Sequence, residues 1–91
     1  MTSSPNMVLE ATQSTSKVFY GRGTDARITI DTHAGGIWEL QAMSPAGNWI
    51  TVNDSAFSDN GVWGLHTVSG EAFRFTGGTV GAQIWVSGVN L

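Results

Sequence analysis

Apolar and polar residues alternate with a period of two along most of this chain, in short stretches broken by Gly, Pro, Asn and Asp. In ARITID (residues 26–31), Ile28 and Ile30 fall on one side of an extended chain. Arg27 and Thr29 fall on the other side. No stretch repeats apolar residues at the three- and four-residue spacing of an amphipathic helix. The pattern therefore predicts strands joined by turns, with no helix.

This alternation predicts eight short strands. They cover residues 7–12, 17–20, 26–31, 37–43, 49–53, 62–68, 72–76 and 82–86. Short strands at this spacing, each closed by a turn signal, are typical of an antiparallel sandwich or jelly roll. A chain of 91 residues is too short to form two separate cores. We therefore expect an all-β fold, a single antiparallel β-sandwich or jelly-roll-like domain over residues 7–91, preceded by a flexible polar N-terminal arm over residues 1–6.

Two stretches of the chain have nearly the same sequence, GIWELQAMS beginning at Gly36 and GVWGLHTVS beginning at Gly61. A turn signal and another strand follow each of them, so each predicts the first half of a β-hairpin. We expect one hairpin to contribute to each side of the sandwich. Trp38 and Trp63, at equivalent positions, then belong to the core, because a domain this small must bury aromatic side chains to be stable.

Loop length fixes the register of each predicted hairpin, because residues directly opposite each other share a face. A five-residue loop sets two inward pairs in the first hairpin, Leu40 with Val52 and Ala42 with Ile50. A three-residue loop sets three pairs in the second hairpin, Leu65 with Phe75, Thr67 with Phe73, and His66 with Arg74 on the outer face. A two-residue loop there would place Leu65 opposite Arg74 and mix core with surface, so we reject it.

Four large side chains are left over as candidates for the outer surface. Trp49 points outward beside Met43, and Tyr20 ends its strand at a glycine-rich turn. Trp85 points outward because the inward positions of its strand are taken by Ala82, Ile84 and Val86. Exposed aromatic residues on a small domain indicate a contact surface. The alternative is that some strands are buried on both faces, or that a register is shifted by one residue.

The composition limits the partners of such a surface. Charged residues make up 12% of the chain, against about 25% in an ordinary globular protein. The net charge is −3, with only four Lys and Arg residues, which argues against nucleic acid. No apolar run is long enough to span a membrane, and the N-terminus lacks the basic and apolar regions of a signal peptide. The chain has no Cys for disulfides or thiolate metal sites.

Two functional interpretations of the outward residues compete. Trp49, Met43 and Trp85 can be anchors of a subunit interface, since interface cores are enriched in Trp and Met and depleted in charge. Alternatively, a flat tryptophan with nearby Gln, Asn and Asp can stack on a sugar ring. The scarcity of charge along the whole chain favours the interface, because a sugar site needs only one local platform.

The sequence offers little for catalysis. The stretch DSAFSDNG (residues 54–61) lacks the alternating acidic spacing of a calcium loop. His66 and Arg74, neighbours in the predicted second hairpin, are typical of a polar surface pair. No Ser, His and acidic residue can be assigned to one nucleophilic site from their order in the chain. We therefore expect no enzymatic activity, no catalytic or metal-binding residues and no cofactor.

Two longer stretches, GIWELQAMSPAGNWITV and FRFTGGTVGAQIWV, resemble small virion structural proteins of tailed bacteriophages. The shared features are a W-x-L strand, a Pro/Gly turn, a second Trp strand and a final RFTGGT-x-GA strand pair, within residues 36–86. Those proteins are compact β-sandwich modules that serve as capsid decoration (cement) proteins, head fibres or tail-fibre modules. They work through broad interfaces, so the resemblance assigns no role to an individual residue.

The resemblance implies partners and a location. The partners are further copies of this chain, commonly in a trimer, and the major capsid protein or another virion protein. Such a protein is assembled in the host cytoplasm and ends in the virion. Our first hypothesis is a non-enzymatic capsid decoration protein that binds and stabilises the assembled shell. The alternative is a carbohydrate-binding or adhesin module of a head or tail fibre, which uses exposed tryptophans to bind cell-surface glycan.

Overall fold

The computed structural model describes residues 5–91. Within them the chain forms nine β-strands and no helix. The strands are β1 (Asn6–Leu9), β2 (Phe19–Gly21), β3 (Asp25–Asp31), β4 (Gly36–Met43), β5 (Trp49–Phe57), β6 (Gly61–His66), β7 (Ala72–Gly78), β8 (Gln83–Ser87) and β9 (Val89–Asn90). Since the described residues contain no helix, none of them forms a helix long and apolar enough to cross a membrane.

The strands form two antiparallel sheets. One has four strands in the order β1-β8-β3-β6, and the other has five in the order β5-β4-β7-β2-β9. The prediction of an all-β fold built as an antiparallel β-sandwich is confirmed. Only β4 and β5 are both consecutive in the chain and adjacent in a sheet; every other connection between described strands passes from one sheet to the other.

The three largest differences from the predicted strands lie in β1, β5 and β9. β1 ends at Leu9 rather than at residue 12, because Gln13 folds back and its backbone N–H donates to the Glu10 carbonyl at 3.0 Å. β5 continues to Phe57, and β9 is an additional strand. β1 begins at Asn6, while residues 1–4, most of the predicted N-terminal arm, lie outside the described residues.

The core lies between the two sheets and is filled from alternate strand positions. Trp38, Phe19 and Phe75 are its largest fully buried side chains. The predicted inward positions on β3, on β8 and directly before β8 are buried as expected: Ile28, Ile30, Ala82, Ile84 and Val86. Aromatic rings pack across the interior, with Phe57 edge-on to the Trp63 ring at 4.8 Å between centroids. Buried aromatic area thus supplies much of the stability of a small domain without disulfides.

The first predicted hairpin exists, with an irregularity. Ala42 lies opposite Ile50, as its loop length predicts, but only Ala42 packs against the core, because Ile50 lies on the edge strand β5 and is 56% exposed. The predicted pairing of Leu40 with Val52 is interrupted, because β5 takes extra residues between its partners for Gln41 and Glu39. The extra segment contains Asp54, whose φ of 59° lies in the left-handed region.

The second predicted hairpin is wrong. β6 pairs with β3, so that Trp63 lies opposite Ile28 and Leu65 lies opposite Ala26. The three predicted pairs between β6 and β7 do not form: Leu65 with Phe75, Thr67 with Phe73, and His66 with Arg74. The Thr67 hydroxyl and N–H both donate to the Thr24 carbonyl, at 2.6 and 3.2 Å, which extends the contact with the β3 side by one residue before the chain crosses to the other sheet.

Trp63 belongs to the core only in part. It packs against the core cluster, as predicted, but it is half-buried, whereas Trp38 is fully buried. The reason is strand position, since β6 is an edge strand while β4, which carries Trp38, lies between two neighbours.

Candidate functional site

The outer face of the five-stranded sheet collects three of the four predicted contact residues. Buried Trp38 and Leu40 fix the inner side of β4, so Met43 points outward, and Trp49 lies directly opposite it on β5. Tyr20 of β2 lies opposite Ala72, which shares a side of β7 with Arg74. We call the group of five outward side chains the Trp49 surface: Trp49, Met43, Gln41, Arg74 and Tyr20.

Trp49 is held in place by a charged neighbour. The Arg74 guanidinium carbon lies 4.5 Å from the centre of the Trp49 ring, a cation–π contact. Arg74 Nε also donates a hydrogen bond to Gln41 Oε1 at 2.8 Å, and Gln41 lies directly opposite Arg74 in the sheet. This contact explains why Trp49 is half-buried although it points outward. A ring fixed in this way loses little conformational entropy when a partner covers it.

Tyr20 forms the other end of the Trp49 surface. Its side chain is 42% exposed and lies opposite Asn90 of β9. Asn90 Oδ1 accepts a hydrogen bond from Arg22 Nε at 3.0 Å. Since β5 and β2 are three strand spacings apart, Tyr20 and Trp49 are separated by about 14 Å.

Trp85, the fourth predicted contact residue, lies elsewhere. It is on the outer face of the four-stranded sheet, where Met7 and Thr29 lie directly opposite it on the two neighbouring strands. Trp85 is half-buried, and an open recess of about 400 Å³ between Trp85, Thr29 and Pro5 adjoins it. The structure therefore does not bring Trp85 together with Trp49, and one flat partner cannot cover both.

Sequence reasoning missed the role of Gln41 and Arg74. It paired Arg74 with His66, because it treated β6 and β7 as one hairpin. The available signal was the alternation of AFRFT, which places Arg74 on the outer face of its strand whichever partner the strand has. That signal gives the face on which Arg74 lies but not the residue beside it. The contact with Trp49 therefore could not be predicted without the order of the strands.

One pair of titratable side chains in the described residues is a candidate for acid–base chemistry. His66 Nδ1 lies 3.0 Å from Asp25 Oδ1, and the two residues face each other across β6 and β3. Both side chains are almost fully exposed, at 80% and 85%, so water screens the pair and it contributes little to stability. Within residues 5–91, no three His, Asp or Glu side chains come together in a group that could hold a metal ion.

A comparison with protein-family models, with curated proteins and with solved structures finds no match to this chain. The resemblance to phage virion proteins therefore rests on the two stretches of residues 36–86 given above. The Trp49 surface is the feature of the described residues from which a function can be argued.

Proposed function

We propose that this chain is a non-enzymatic structural protein of a tailed-phage virion, a capsid decoration protein that binds the assembled shell through the Trp49 surface. The observation that carries the proposal is the grouping of Trp49, Met43 and Tyr20 on one sheet face. Trp, Tyr, Met and Arg are the residues enriched in protein interfaces, and all four types occur on this surface. The resemblance supplies the phage context.

The composition of the surface supports a protein partner. Its cation, Arg74, is held by a cation–π contact to Trp49 and a hydrogen bond to Gln41, so the guanidinium is already oriented before a partner covers it. The scarcity of charge in the whole chain fits a molecule with much of its surface in contact with neighbours. In this proposal the partners are the major capsid protein and further copies of the chain, and assembly takes place in the host cytoplasm.

The mechanism is mass action. A protein that binds the assembled shell, and not dispersed capsid subunits, shifts the equilibrium towards the shell by an amount set by its affinity and concentration. No covalent step is involved. The Trp49 ring contributes as an anchor that is already oriented before binding, so its contact area is gained at a low entropic cost.

The test is co-sedimentation with shells assembled from the major capsid protein encoded in the same genome. We expect binding to assembled shells and none to dispersed subunits. Trp49→Ala should weaken binding by about 2 kcal/mol, which is about 30-fold in Kd, as for an interface hot spot. Trp85→Ala is the matched control on the other sheet and should bind like the wild type. Equal loss in both variants, or equal binding to dispersed subunits, contradicts the proposal.

A second candidate function, binding of cell-surface glycan by a fibre module, is favoured by one observation. Gln41 and Arg74, which can hydrogen-bond to sugar hydroxyls, lie next to the row that runs from Trp49 through Met43 and Ala72 to Tyr20, and the length of that row suits a short oligosaccharide. Glycan-array binding and quenching of tryptophan fluorescence, both lost in Trp49→Ala, would support it. Silence across a broad array would count against it.

A further inference from the structure

β6 is an edge strand without the usual protection. It pairs with β3 through six consecutive residue pairs with no irregularity, and no described strand pairs with its other side. The three other sheet edges in residues 5–91 are blunted. β5 and β1 carry register shifts, and β9 has only two residues. Bulges and short strands are the means by which proteins prevent edge-to-edge pairing, and β6 has neither.

The residues of β6 are those of an internal strand. GVWGLH contains no Lys, Arg, Asp, Glu or Pro, the residues that natural edge strands use against pairing. The similar strand β4, which has Gly, Trp and Leu at the equivalent positions, is internal, with β5 on one side and β7 on the other. β6 thus has the sequence of a strand with two neighbours and, within one chain, has one.

Apolar side chains are left partly uncovered along the same edge. Val62 is 58% exposed on the outer face of the sheet. Trp63 and Leu65 are half-buried on the inner face, where they line a cleft of about 200 Å³ between β6 and β5. A further strand beside β6 would cover all three side chains and would pair the free backbone groups of the edge.

We infer that β6 pairs with β6 of a second copy of this chain, antiparallel and around a two-fold axis, so that the two four-stranded sheets join into one of eight strands. The stretch from Gly61 to Leu65 carries no charge, so no like charges meet between the two paired β6 strands. The pairing is self-complementary, and it predicts dimers rather than the trimer implied by the resemblance.

The geometry of strands restricts the register of this dimer. Residues directly opposite each other lie on the same face of a sheet, and consecutive residues of a strand lie on opposite faces. A two-fold axis perpendicular to the sheet therefore cannot pass between two residues of β6. It must pass beside one residue, which then lies opposite the same residue of the other copy. With Gly64 at the axis, Trp63 lies opposite Leu65 of the partner subunit. In this register, Trp63 of one copy and Leu65 of the partner subunit cover each other. With Trp63 at the axis, Leu65 would face a glycine instead.

The contact area is sufficient for a dimer that dissociates on dilution. The six residues of β6 extend over about 20 Å. The two sheets lie about 10 Å apart, so the side of the sandwich, with its side chains, is also about 20 Å wide. A contact of that size buries on the order of 1,000 Å² in total, at the lower limit of specific interfaces. We therefore expect the molar mass to rise with concentration from 9.6 kDa towards twice that value.

The first test compares the wild type with Gly64→Arg by sedimentation equilibrium. A side chain at Gly64 meets open space within the chain, and its φ is not positive, so the variant should fold. At the axis, however, it places two guanidinium groups opposite each other. We expect Gly64→Arg to remain a monomer. Val80→Arg, with the same charge change on an exposed turn, should dimerise like the wild type.

The second test reads the register directly. The chain contains no Cys, so one introduced cysteine can form only an intermolecular disulfide. Gly64→Cys should give a covalent dimer on oxidation, because directly opposite Cα atoms lie about 4.5–5.5 Å apart. Val62→Cys should not, since its partner position is His66 of the other copy.

A wild type that stays monomeric at millimolar concentration, a trimer, or a Gly64→Arg variant that dimerises normally would each overturn the inference. Crosslinking through Val62→Cys but not through Gly64→Cys would overturn the register. These outcomes leave the proposed shell binding unaffected, because the Trp49 surface lies on the other sheet.

Discussion

Trp38 packs against Gly78 with no room for a methyl group between them. A Cβ added at Gly78 would overlap the indole ring, and the ring is fully buried, so it cannot move aside. The φ of Gly78 is not positive, so the requirement for glycine is steric and not conformational. This position shows how the largest side chain of the core determines the residue on a neighbouring strand.

We therefore predict that Gly78→Ala lowers the free energy of unfolding by about 2 kcal/mol, the effect of overpacking a dense core. Gly64→Ala is the matched control, since a Cβ there meets no atom within 4 Å. It should change stability by about 0.5 kcal/mol or less. Equilibrium unfolding in urea, with dilute protein, measures both. Equal stability of the two variants would show that Trp38 is not fixed in the core as described.

The backbone of Asp54 gives a second prediction for a single residue. Its φ of 59° costs about 1–2 kcal/mol for most side chains, and Asn and Asp tolerate it best. Asp54→Asn should therefore keep the wild-type melting temperature, and Asp54→Val should lower stability by about 1–2 kcal/mol. Thermal melts followed by circular dichroism compare the two. A valine variant as stable as the asparagine variant would contradict the left-handed conformation.

The two similar strands, β4 and β6, show what can and cannot be predicted from a strand sequence. Alternation correctly gave the inward positions of β3, β4 and β8, because a side chain's face depends only on its own strand. It failed for the partners of β6, because pairing depends on where the chain goes next. Both strands start Gly-x-Trp and end before a turn signal, yet β4 is followed by a hairpin and β6 by a crossing to the other sheet.

The candidate site was predictable to the same extent. The outward positions of Trp49, Met43 and Tyr20 follow from local alternation, and the structure places them on one face. That Trp85 is on the other sheet, and that Arg74 lies over the Trp49 ring, follows from the order of strands within the sheets. No local pattern encodes that order when almost every connection passes between sheets.

The whole molecule presents two separate apolar features on its two sheets. The Trp49 surface covers the outer face of the five-stranded sheet, and the β6 edge borders the four-stranded sheet. A dimer formed through β6 leaves the Trp49 surface of each copy uncovered by strand pairing. Under the proposed function, such a dimer would bind the shell through two of these surfaces at once, which raises the overall affinity without a new kind of contact.

Hydroxyl-radical footprinting of the chain, free and bound to assembled shells, tests most directly whether the Trp49 surface is the contact. The method oxidises exposed Trp, Met and Tyr side chains, and these are the residues in question. We predict that shell binding protects Trp49, Met43 and Tyr20 from oxidation and leaves Trp85 unchanged. Protection of Trp85 alone, or no protection of Trp49 in the bound chain, would contradict the proposed binding surface.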